Sequence, residues 1–450
     1  MIVLALTVLA ELVVWISGSA FGQTKLQDDP VLEDESPSDS EKKTDNEKKP
    51  SSPKKPTGHT KIVPSFTLSQ RYDSNVLYAP SGTQIGLTRW DFVTTASPTI
   101  QLLNENRYAE TSILAGVSGN LFVNNTDLNF VSTNLTGSAT LDRWVRRFIQ
   151  GARLQVSDSF AFSPESPSFV SAANPLPTDN PFARGIVPVR ANMYTNTATV
   201  AAAYPLRPGL ALQGTYSYSL LRIGEIFVKQ PIDTPVVFFN TDMHAWSIGP
   251  TWRLSRADTV SLSYRSTTSS LSPTSGSLSS VDFTARGVEA TYATTSADWG
   301  AVVSGGATVL DLDNRAYPTG SLALTAKYGE LTSFRVIGSR AFAPAFFATG
   351  GALISTNAGI SVEHRFSRIL SFTGSANYAY NEIAPVNFAT FESYTASGLL
   401  SYNLSRSLLA SIGYSYTYFA VGTPEAVTTD LAGYILNRHV VTFAITGKWN

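Results

Sequence analysis

The sequence predicts an all-β fold, and three features lead to that prediction. Long stretches alternate apolar and polar residues with a period of two, which is typical of strands that have one apolar face. Charged residues make up only 15% of the 450 residues and hydrophobic residues 43%. The chain is therefore weakly charged for a soluble domain and too polar for a bundle of membrane helices. Short and long polar connections also follow one another, as in an antiparallel up-and-down arrangement.

The first predicted strand, which begins at Ile62, shows the alternation clearly. Ile62, Phe66 and Leu68 fall on one face, whereas Ser65 and Thr67 fall on the other. Most later strands have the same two faces, and the sequence offers no helices or second apolar sheet to cover the apolar one. A closed barrel satisfies this pattern, because lipid covers the apolar face, water covers the polar face and no strand edge remains unpaired. The sequence therefore predicts a transmembrane antiparallel β-barrel.

Two segments of different composition precede the strands. Residues 1–22 are apolar and end in small residues, which predicts a secretion signal cleaved before Gln23. A retained anchor is the alternative, because no basic residue precedes the apolar run and Glu11 interrupts it. Residues 23–60 are rich in Asp, Glu, Lys, Ser and Pro, which predicts a disordered periplasmic leader. The barrel is assigned to residues 61–450.

The connections predict the number of strands. Eight short polar turns alternate with nine connections that are usually longer, the longest being the Pro-rich segment 163–188. The short turns begin at Asn104, Asp142, Pro205, Ser255, Thr295, Tyr328, Ser367 and Ser405. This pattern gives about eighteen strands, with sixteen as the alternative, and an even number places both ends of the barrel on the periplasmic, short-turn side.

Aromatic residues fall where such strands would meet the membrane surfaces. Trp246 and Trp252 bracket one predicted strand, and Tyr414, Tyr416 and Tyr418 share one face of another. These side chains favour membrane interfaces, where their apolar rings and polar tips are both accommodated. Aromatic residues are also good strand formers, so the alternative that some of them simply favour the strand conformation stays open.

The segment RYDSNV, from Arg71 to Val76, resembles the opening of the β-barrel porin 2 family. Members of that family commonly begin their barrel with Tyr, Asp, any residue, Asn and a hydrophobic residue. The resemblance implies an outer-membrane barrel without established catalytic residues, in a family often linked to exopolysaccharide systems. The last strand departs from the usual signal for the barrel-assembly machinery, because the aromatic Trp449 is penultimate and Asn450 is last.

Patterns that carry catalysis or metal binding are sparse. The chain has no Cys, which excludes disulfides, thiolate metal sites and a Cys nucleophile. Its histidines are His59, His244, His364 and His439. None of them has a Ser and an acid at recognisable spacing, and the DLDN segment at 311–314 lacks the remaining ligands of a calcium loop, so we interpret it as an outer connection. From these sparse patterns we expect no enzyme activity, cofactor or metal. The net charge of −1 gives no overall field that would favour a nucleic-acid partner.

Following the alternation through each strand assigns charged side chains to the lumen. They are Arg71, Arg89, Asp91, Glu110, Arg153, Arg190, Arg253, Arg265, Lys327, Arg335 and Glu363. Basic residues predominate, which predicts a solute path that favours anions or hydroxyl-rich sugars. The alternative is that several lie at the rims and pair with turns or lipid phosphates. Arg153, Arg265 and Arg335 have no predicted inward acid near them in sequence, and the phase of the strand is least clear near Gly287.

Barrels of about 16 to 18 strands are wide enough to hold an aqueous lumen. The sequence therefore predicts a diffusion channel for small hydrophilic solutes in a bacterial outer membrane, embedded in lipid, with exopolysaccharide as the partner that the family resemblance implies. A non-conducting scaffold or adhesin and a barrel hydrolase stay open as alternatives. The connection 163–188 is compatible with folding into the lumen or over it, and the pattern is compatible with any oligomeric state.

Overall fold

The computed structural model describes most of the chain from His59 onward. The described ranges are 59–80, 88–165, 181–184, 190–226, 238–274, 279–346, 351–384, 389–422 and 434–449. The predicted signal and leader lie outside the described residues, apart from His59 and Thr60, which belong to the first strand. None of the helices in the described part of the chain has the length and apolar character needed to cross a membrane.

Eighteen antiparallel strands make up nearly all of the described chain. They are β1 (His59–Asp73), β2 (Asp91–Glu105), β3 (Glu110–Phe122), β4 (Phe130–Thr140), β5 (Arg153–Ser163), β6 (Ala191–Arg207), β7 (Leu210–Ile226), β8 (Phe239–Arg253), β9 (Asp258–Pro273), β10 (Val281–Thr295), β11 (Trp299–Leu310), β12 (Arg315–Tyr328), β13 (Thr332–Pro344), β14 (Ala352–Arg365), β15 (Leu370–Ala384), β16 (Thr390–Asn403), β17 (Leu408–Gly422) and β18 (Ile435–Lys448). Each strand pairs with its neighbours in sequence, and β18 pairs with β1. The prediction of a closed eighteen-stranded barrel is confirmed.

Successive residues of each strand alternate between an outward and an inward face. On the outward face, Ile100, Ile360 and Phe443 are exposed members of an apolar belt. On the inward face, the Ser304 and Ser321 hydroxyl groups lie 2.8 Å apart in a hydrogen bond between neighbouring strands. Exposing such a belt to water would cost about 25 cal/mol per Å² of apolar surface, whereas lipid covers it without that cost.

Aromatic side chains ring the outward face near both ends of the barrel. Towards the outer end, the ring of Tyr394 packs between those of Tyr378 and Tyr418, with centroid distances of 5.0 and 5.6 Å. Towards the periplasmic end, Trp299 and Trp449 are exposed. This distribution agrees with the interpretation of the aromatic residues as interfacial rings.

The predicted short turns all join strands at one end of the barrel. The β4–β5 connection is the longest of them and contains a short helix, α1 (Asp142–Val145). Trp144 and Phe148 of this connection are exposed, and their rings are 5.4 Å apart. At the opposite end, the DLDN segment joins β11 to β12 as the predicted outer connection, and Asn314 adopts a positive φ of 53° there.

The pairing of β10 with β9 and β11 is regular through Gly287, the position near which the sequence leaves the phase of the strand least clear. Gly287 has a steric reason to lack a side chain. A Cβ atom at this position would lie 2.4 Å from the carbonyl oxygen of Ala307 on the neighbouring strand. The close approach of the two backbones therefore requires glycine.

We expect Val303→Arg to destabilise the barrel by about 2–4 kcal/mol, because Val303 lies in the lipid-facing belt between Tyr292 and Leu322. Val302→Arg is the matched control, since the adjacent valine faces the lumen between two alanines and should change stability by less than about 1 kcal/mol. Urea unfolding in phospholipid vesicles measures both effects. Equal losses would show that the two faces of β11 are assigned wrongly.

Candidate functional site: the lumen and its outer mouth

The strand register places the predicted charged residues at three levels of the barrel. Those on strands share the face opposite the apolar belt, as the pairings of Arg71 with Val93 and of Arg265 with Gly287 illustrate. The outer end holds Arg71, Arg89, Asp91 and Arg190. Arg265 lies midway along β9. The periplasmic part holds Glu110, Arg153, Arg253, Lys327, Arg335 and Glu363.

Two of the predicted acids at the periplasmic end pair locally with arginines. Arg143, in α1, lies 2.8 Å from both Glu105 and Glu110. Glu363 lies 3.4 Å from Arg365 on its own strand. These contacts fit the alternative in which charged residues stabilise the rim and its turns.

Midway along the lumen, Arg265 forms an ion pair with Glu289 of β10 at 2.8 Å. The Arg265 side chain is 56% exposed, whereas that of Glu289 is 10% exposed. Arg265 therefore has an acidic partner in space, although no predicted inward acid lies near it in sequence. Glu289 lies just beyond Gly287, where the phase of the sequence was least clear, and only the strand register brings the two charges together.

At the outer end, five charged residues form what we call the Glu165 network. The Glu165 carboxylate accepts hydrogen bonds from Nη2 of Arg71 at 2.9 Å and Nη2 of Arg190 at 2.8 Å. Arg438 of β18 lies 3.9 Å from the same carboxylate oxygen. Its Nε also donates to both carboxylate oxygens of Asp73, at 3.0 and 3.1 Å. Of these five residues, only Arg71 and Arg190 are among the side chains predicted to line the lumen.

The Glu165 network is enclosed by aromatic residues. Nη1 of Arg438 donates to the Tyr78 hydroxyl at 2.8 Å. The Arg190 guanidinium, of which only 1% is exposed, lies over the rings of Phe122 and Phe130 at 4.8 and 5.3 Å. Aromatic faces stabilise a desolvated guanidinium through cation–π interactions. Charges in such a setting attract each other more strongly than in water, but each depends on its partner.

Burial and neighbouring charges act in opposite directions on the pKa of Glu165. Desolvation raises the pKa of its carboxyl group, but the guanidinium groups of Arg71, Arg438 and Arg190 outweigh this effect and hold the pKa well below its ordinary value of 4.5. Burial raises the pKa of the Tyr78 hydroxyl. At neutral pH the network therefore contains an ionised Glu165 and a protonated Tyr78.

The RYDSNV segment has a structural role at this end of the barrel. Tyr72 packs against Phe92 on the outward face, with ring centroids 5.5 Å apart. Asp73 anchors Arg438. The Asn75 side chain accepts from the Ala79 N–H at 3.0 Å and donates to the Ala79 carbonyl at 2.8 Å, which closes the turn after β1. Asp73 and Asn75 thus fix the start of the outer mouth.

Asp91 and Arg89 also organise outer connections. The Asp91 carboxylate faces inward but is fully buried, and it accepts from the backbone N–H groups of Val123, Asn124 and Asn125. The Arg89 carbonyl accepts from the Val76 N–H at 2.8 Å. Asp91 therefore holds the β3–β4 connection and is not in contact with solvent.

An apolar cluster fills the lumen beside the Glu165 network, and we call it the outer apolar cluster. It consists of Tyr78, Phe182, Ala191, Met193, Leu221, Ile223, Phe238, Ala343, Ala345, Phe346, Leu353, Ile383, Ala389, Phe391, Phe419, Val421, Tyr434 and Leu436. The strand residues of the cluster come from β6 and β7 on one wall and from β13 to β18 across the barrel, and the other members come from connections at the outer end. Phe182 and Phe346, from two outer connections, meet with ring centroids 6.4 Å apart. The lumen is therefore narrowed at its outer end.

The described residues of the β5–β6 connection cross this mouth. Glu165 at one end contacts β1 and β18. Phe182 belongs to the outer apolar cluster, and the Arg184 carbonyl accepts from the Asn381 side chain of β15 at 3.0 Å. The described parts of this connection therefore fold into the barrel, and not away from it.

His244, His364 and His439 face outward, within the aromatic rings. His244 and His439 hydrogen-bond to the Tyr216 and Tyr414 hydroxyls at 2.8 and 2.9 Å. His364 hydrogen-bonds to the Thr332 hydroxyl at 2.8 Å. Within the described ranges, no group of three or more His, Asp or Glu residues is placed to hold a metal ion.

These observations define a class of protein. A closed antiparallel barrel with an even number of strands, an apolar outward belt, aromatic rings at both ends and a polar inward face is the architecture of outer-membrane barrels. The chain is an outer-membrane β-barrel, located in the bacterial outer membrane.

No family model matches the sequence, and no curated protein matches it. Among solved structures, the chain is similar to OccK2 (OpdF) of Pseudomonas aeruginosa, with a TM-score of 0.44 and 10% identity over 86% of this chain and 97% of that chain. It is also similar to OccAB3 of Acinetobacter baumannii, with a TM-score of 0.42 and 11% identity over 87% and 99% of the two chains. For the ferric enterobactin receptor PfeA of Pseudomonas aeruginosa the values are 0.41 and 8%, over 86% and 80%. We draw no conclusion from likenesses at this level.

We expect Arg438→Met to destabilise the barrel by about 3–5 kcal/mol, because it leaves the buried Asp73 carboxylate without its partner. Arg143→Met is the matched control. It also separates an arginine from two carboxylates, but at an exposed rim, where the loss should be about 1 kcal/mol or less. Urea unfolding in the same vesicles measures both. A similar loss in the two variants would contradict a special role for the Glu165 network.

The pH dependence of stability should show the lowered pKa of Glu165. A carboxyl group whose pKa is lower in the folded state contributes stability above its unfolded pKa, and loses it as the pH falls through the folded pKa. The difference in unfolding free energy between the wild type and Glu165→Gln should therefore stay constant from pH 8 to about 5 and shrink only below about 4.3. Unfolding titrations at each pH measure it. A difference that fades between pH 7 and 5 would contradict the assigned ion pairs.

Proposed function

We propose that the protein is a channel through which small hydrophilic solutes diffuse across the outer membrane. The observation that carries this proposal is the inward face below the outer apolar cluster, which is rich in hydroxyl groups. Thr215 and Ser247 hydrogen-bond at 2.6 Å, and Ser375 and Ser397 at 2.7 Å, across neighbouring strands. Such side chains suit contact with water, and barrels of this strand number leave room for it.

The charges along this path support a preference for anionic or hydroxyl-rich solutes. At the narrowed outer end, Arg71, Arg190 and Arg438 face two acids, Glu165 and Asp73. Low-dielectric walls concentrate the field of such an excess within a water-filled pore. An association with exopolysaccharide export, and membership of the porin 2 family, are finer hypotheses that rest on the RYDSNV resemblance alone.

Planar-bilayer recording of the purified protein tests the proposal. Stable conductance steps, absent from a heat-denatured sample, would support a channel. Absence of conductance combined with hydrolysis of lipid or peptide substrates would favour a barrel enzyme. Absence of both conductance and hydrolysis would favour a scaffold or adhesin.

The Arg265–Glu289 pair should control ion selectivity midway along the lumen. We expect Glu289→Gln to shift the reversal potential towards anions and Arg265→Gln to shift it towards cations, because each leaves the other charge uncompensated. Both shifts should be larger in 50 mM than in 1 M salt, since the screening length falls from above about 10 Å to about 3 Å.

Glu363→Gln is the matched control for this experiment, because Glu363 belongs to an exposed pair at the periplasmic rim. Its effect on selectivity should be smaller than that of Glu289→Gln. Wild-type selectivity in both Arg265→Gln and Glu289→Gln at low salt would place this pair outside the conducting path.

A further inference from the structure

We infer that Arg71, Arg190 and Arg438 form a binding site for the carboxylate group of a solute, and that Glu165 occupies this site in the present structure. We call the three residues the arginine site. The inference rests on the proposed channel function and adds to it a substrate class, namely small hydrophilic carboxylates.

The three arginines reach one oxygen atom from three different elements. Arg71 comes from β1, Arg190 from the residue before β6, and Arg438 from β18. Their Nη2 atoms lie 2.9, 2.8 and 3.9 Å from Oε1 of Glu165. Convergence of guanidinium groups from separate strands is the arrangement expected of a site that recognises an anion.

Glu165 does not satisfy the donors that surround it. Among the described residues, Nε and Nη1 of Arg190 and Nε of Arg71 have no hydrogen-bond partner, although all three atoms are buried. Unfilled buried donors on charged groups are unfavourable. Because Glu165 contacts the arginines through one oxygen, a free carboxylate could bind more of these donors by pairing both of its oxygens with a guanidinium edge.

Aromatic rings surround the Arg190 guanidinium. The rings of Phe122, Phe130 and Tyr78 lie 4.8, 5.3 and 5.9 Å from its guanidinium carbon. The site is also accessible, since 25% of the Glu165 side chain and 18% of the Arg71 side chain are exposed. A solute can therefore reach the carboxylate position without disrupting the buried Arg190.

The charge balance requires an anion whenever Glu165 is displaced. Asp73 is held by Nε and Nη2 of Arg438 and so compensates that arginine. Arg71 and Arg190 would then be left with two uncompensated positive charges in a largely buried setting. The group now present is a carboxylate, whose two oxygens match the guanidinium fork, so a solute carboxylate is the replacement that the geometry favours over a neutral sugar.

Calorimetric titration of the detergent-solubilised, full-length protein with sodium gluconate tests this inference, with glucose as the neutral counterpart. The Glu165 carboxylate competes with gluconate for the arginine site. The Glu165→Ala substitution, which removes this competitor, should therefore lower the gluconate Kd by about tenfold or more. Glu165→Gln, which removes only the charge, should give a smaller decrease. Glucose should show no change in either variant.

Glu363→Ala is the matched control, because it removes the acid of an exposed ion pair at the periplasmic rim, at the opposite end of the barrel, and should leave the gluconate Kd within about twofold of the wild-type value. Adding Arg190→Met to Glu165→Ala should abolish the gain. Heat-modifiable migration on gels establishes that each variant is a folded barrel. If the Glu165 variants do not fold, the wild-type titration decides, since gluconate must still bind more tightly than glucose.

Folded Glu165 variants that bind gluconate no better than wild type, or equal binding of glucose, would overturn the inference. Binding in detergent does not depend on conductance, so failures of the two proposals are distinguishable. Tightened gluconate binding with no conductance would support the arginine site and reject the channel. Conductance with unchanged gluconate binding would support the channel and reject the arginine site.

Discussion

The constraint on which the structure depends is that every backbone polar group of a strand in lipid must be paired, so β1 has to meet β18. Nine residue pairs, from Ser65 with Lys448 to Asp73 with Val440, form this seam. At its outer end, Arg438 of β18 binds Asp73 of β1. An ion pair that joins the two strands at the end of the ladder holds the register where the ladder would otherwise fray.

The same seam carries the charges that shape the outer mouth. Arg438 contacts Asp73 across the seam, the Tyr78 hydroxyl after β1, and the carboxylate of Glu165 from the β5–β6 connection. Arg71, also on a seam strand, binds that carboxylate directly. Closure of the barrel and attachment of the inward-folded connection thus share residues, which couples the narrowed outer end of the lumen to the β1–β18 seam that completes the sheet.

The sequence predicted the strands, turns and faces because alternation and turn composition are local properties that lipid on one side and water on the other impose on each strand. It did not reveal the Glu165 network, since Asp73 and Arg438 are 365 residues apart and come together only on closure. The outer apolar cluster left a signal in pairs such as Leu220–Leu221, where the alternation lapses. Such a lapse indicates apolar residues on both faces.

The outer mouth contains two different kinds of contact, the apolar packing of the outer apolar cluster and the ion pairs of the Glu165 network, and this difference bears on function. The outer apolar cluster shows that this barrel can narrow its lumen with apolar side chains alone. Replacing buried ion pairs by apolar residues is often neutral or stabilising, so stability does not require Arg71, Arg190 and Arg438 to lie beside that cluster. An apolar contact excludes water and hydrophilic solutes, whereas a guanidinium can exchange one carboxylate for another. The retained charges therefore favour a mouth that interacts with passing anions over one that is only a seal.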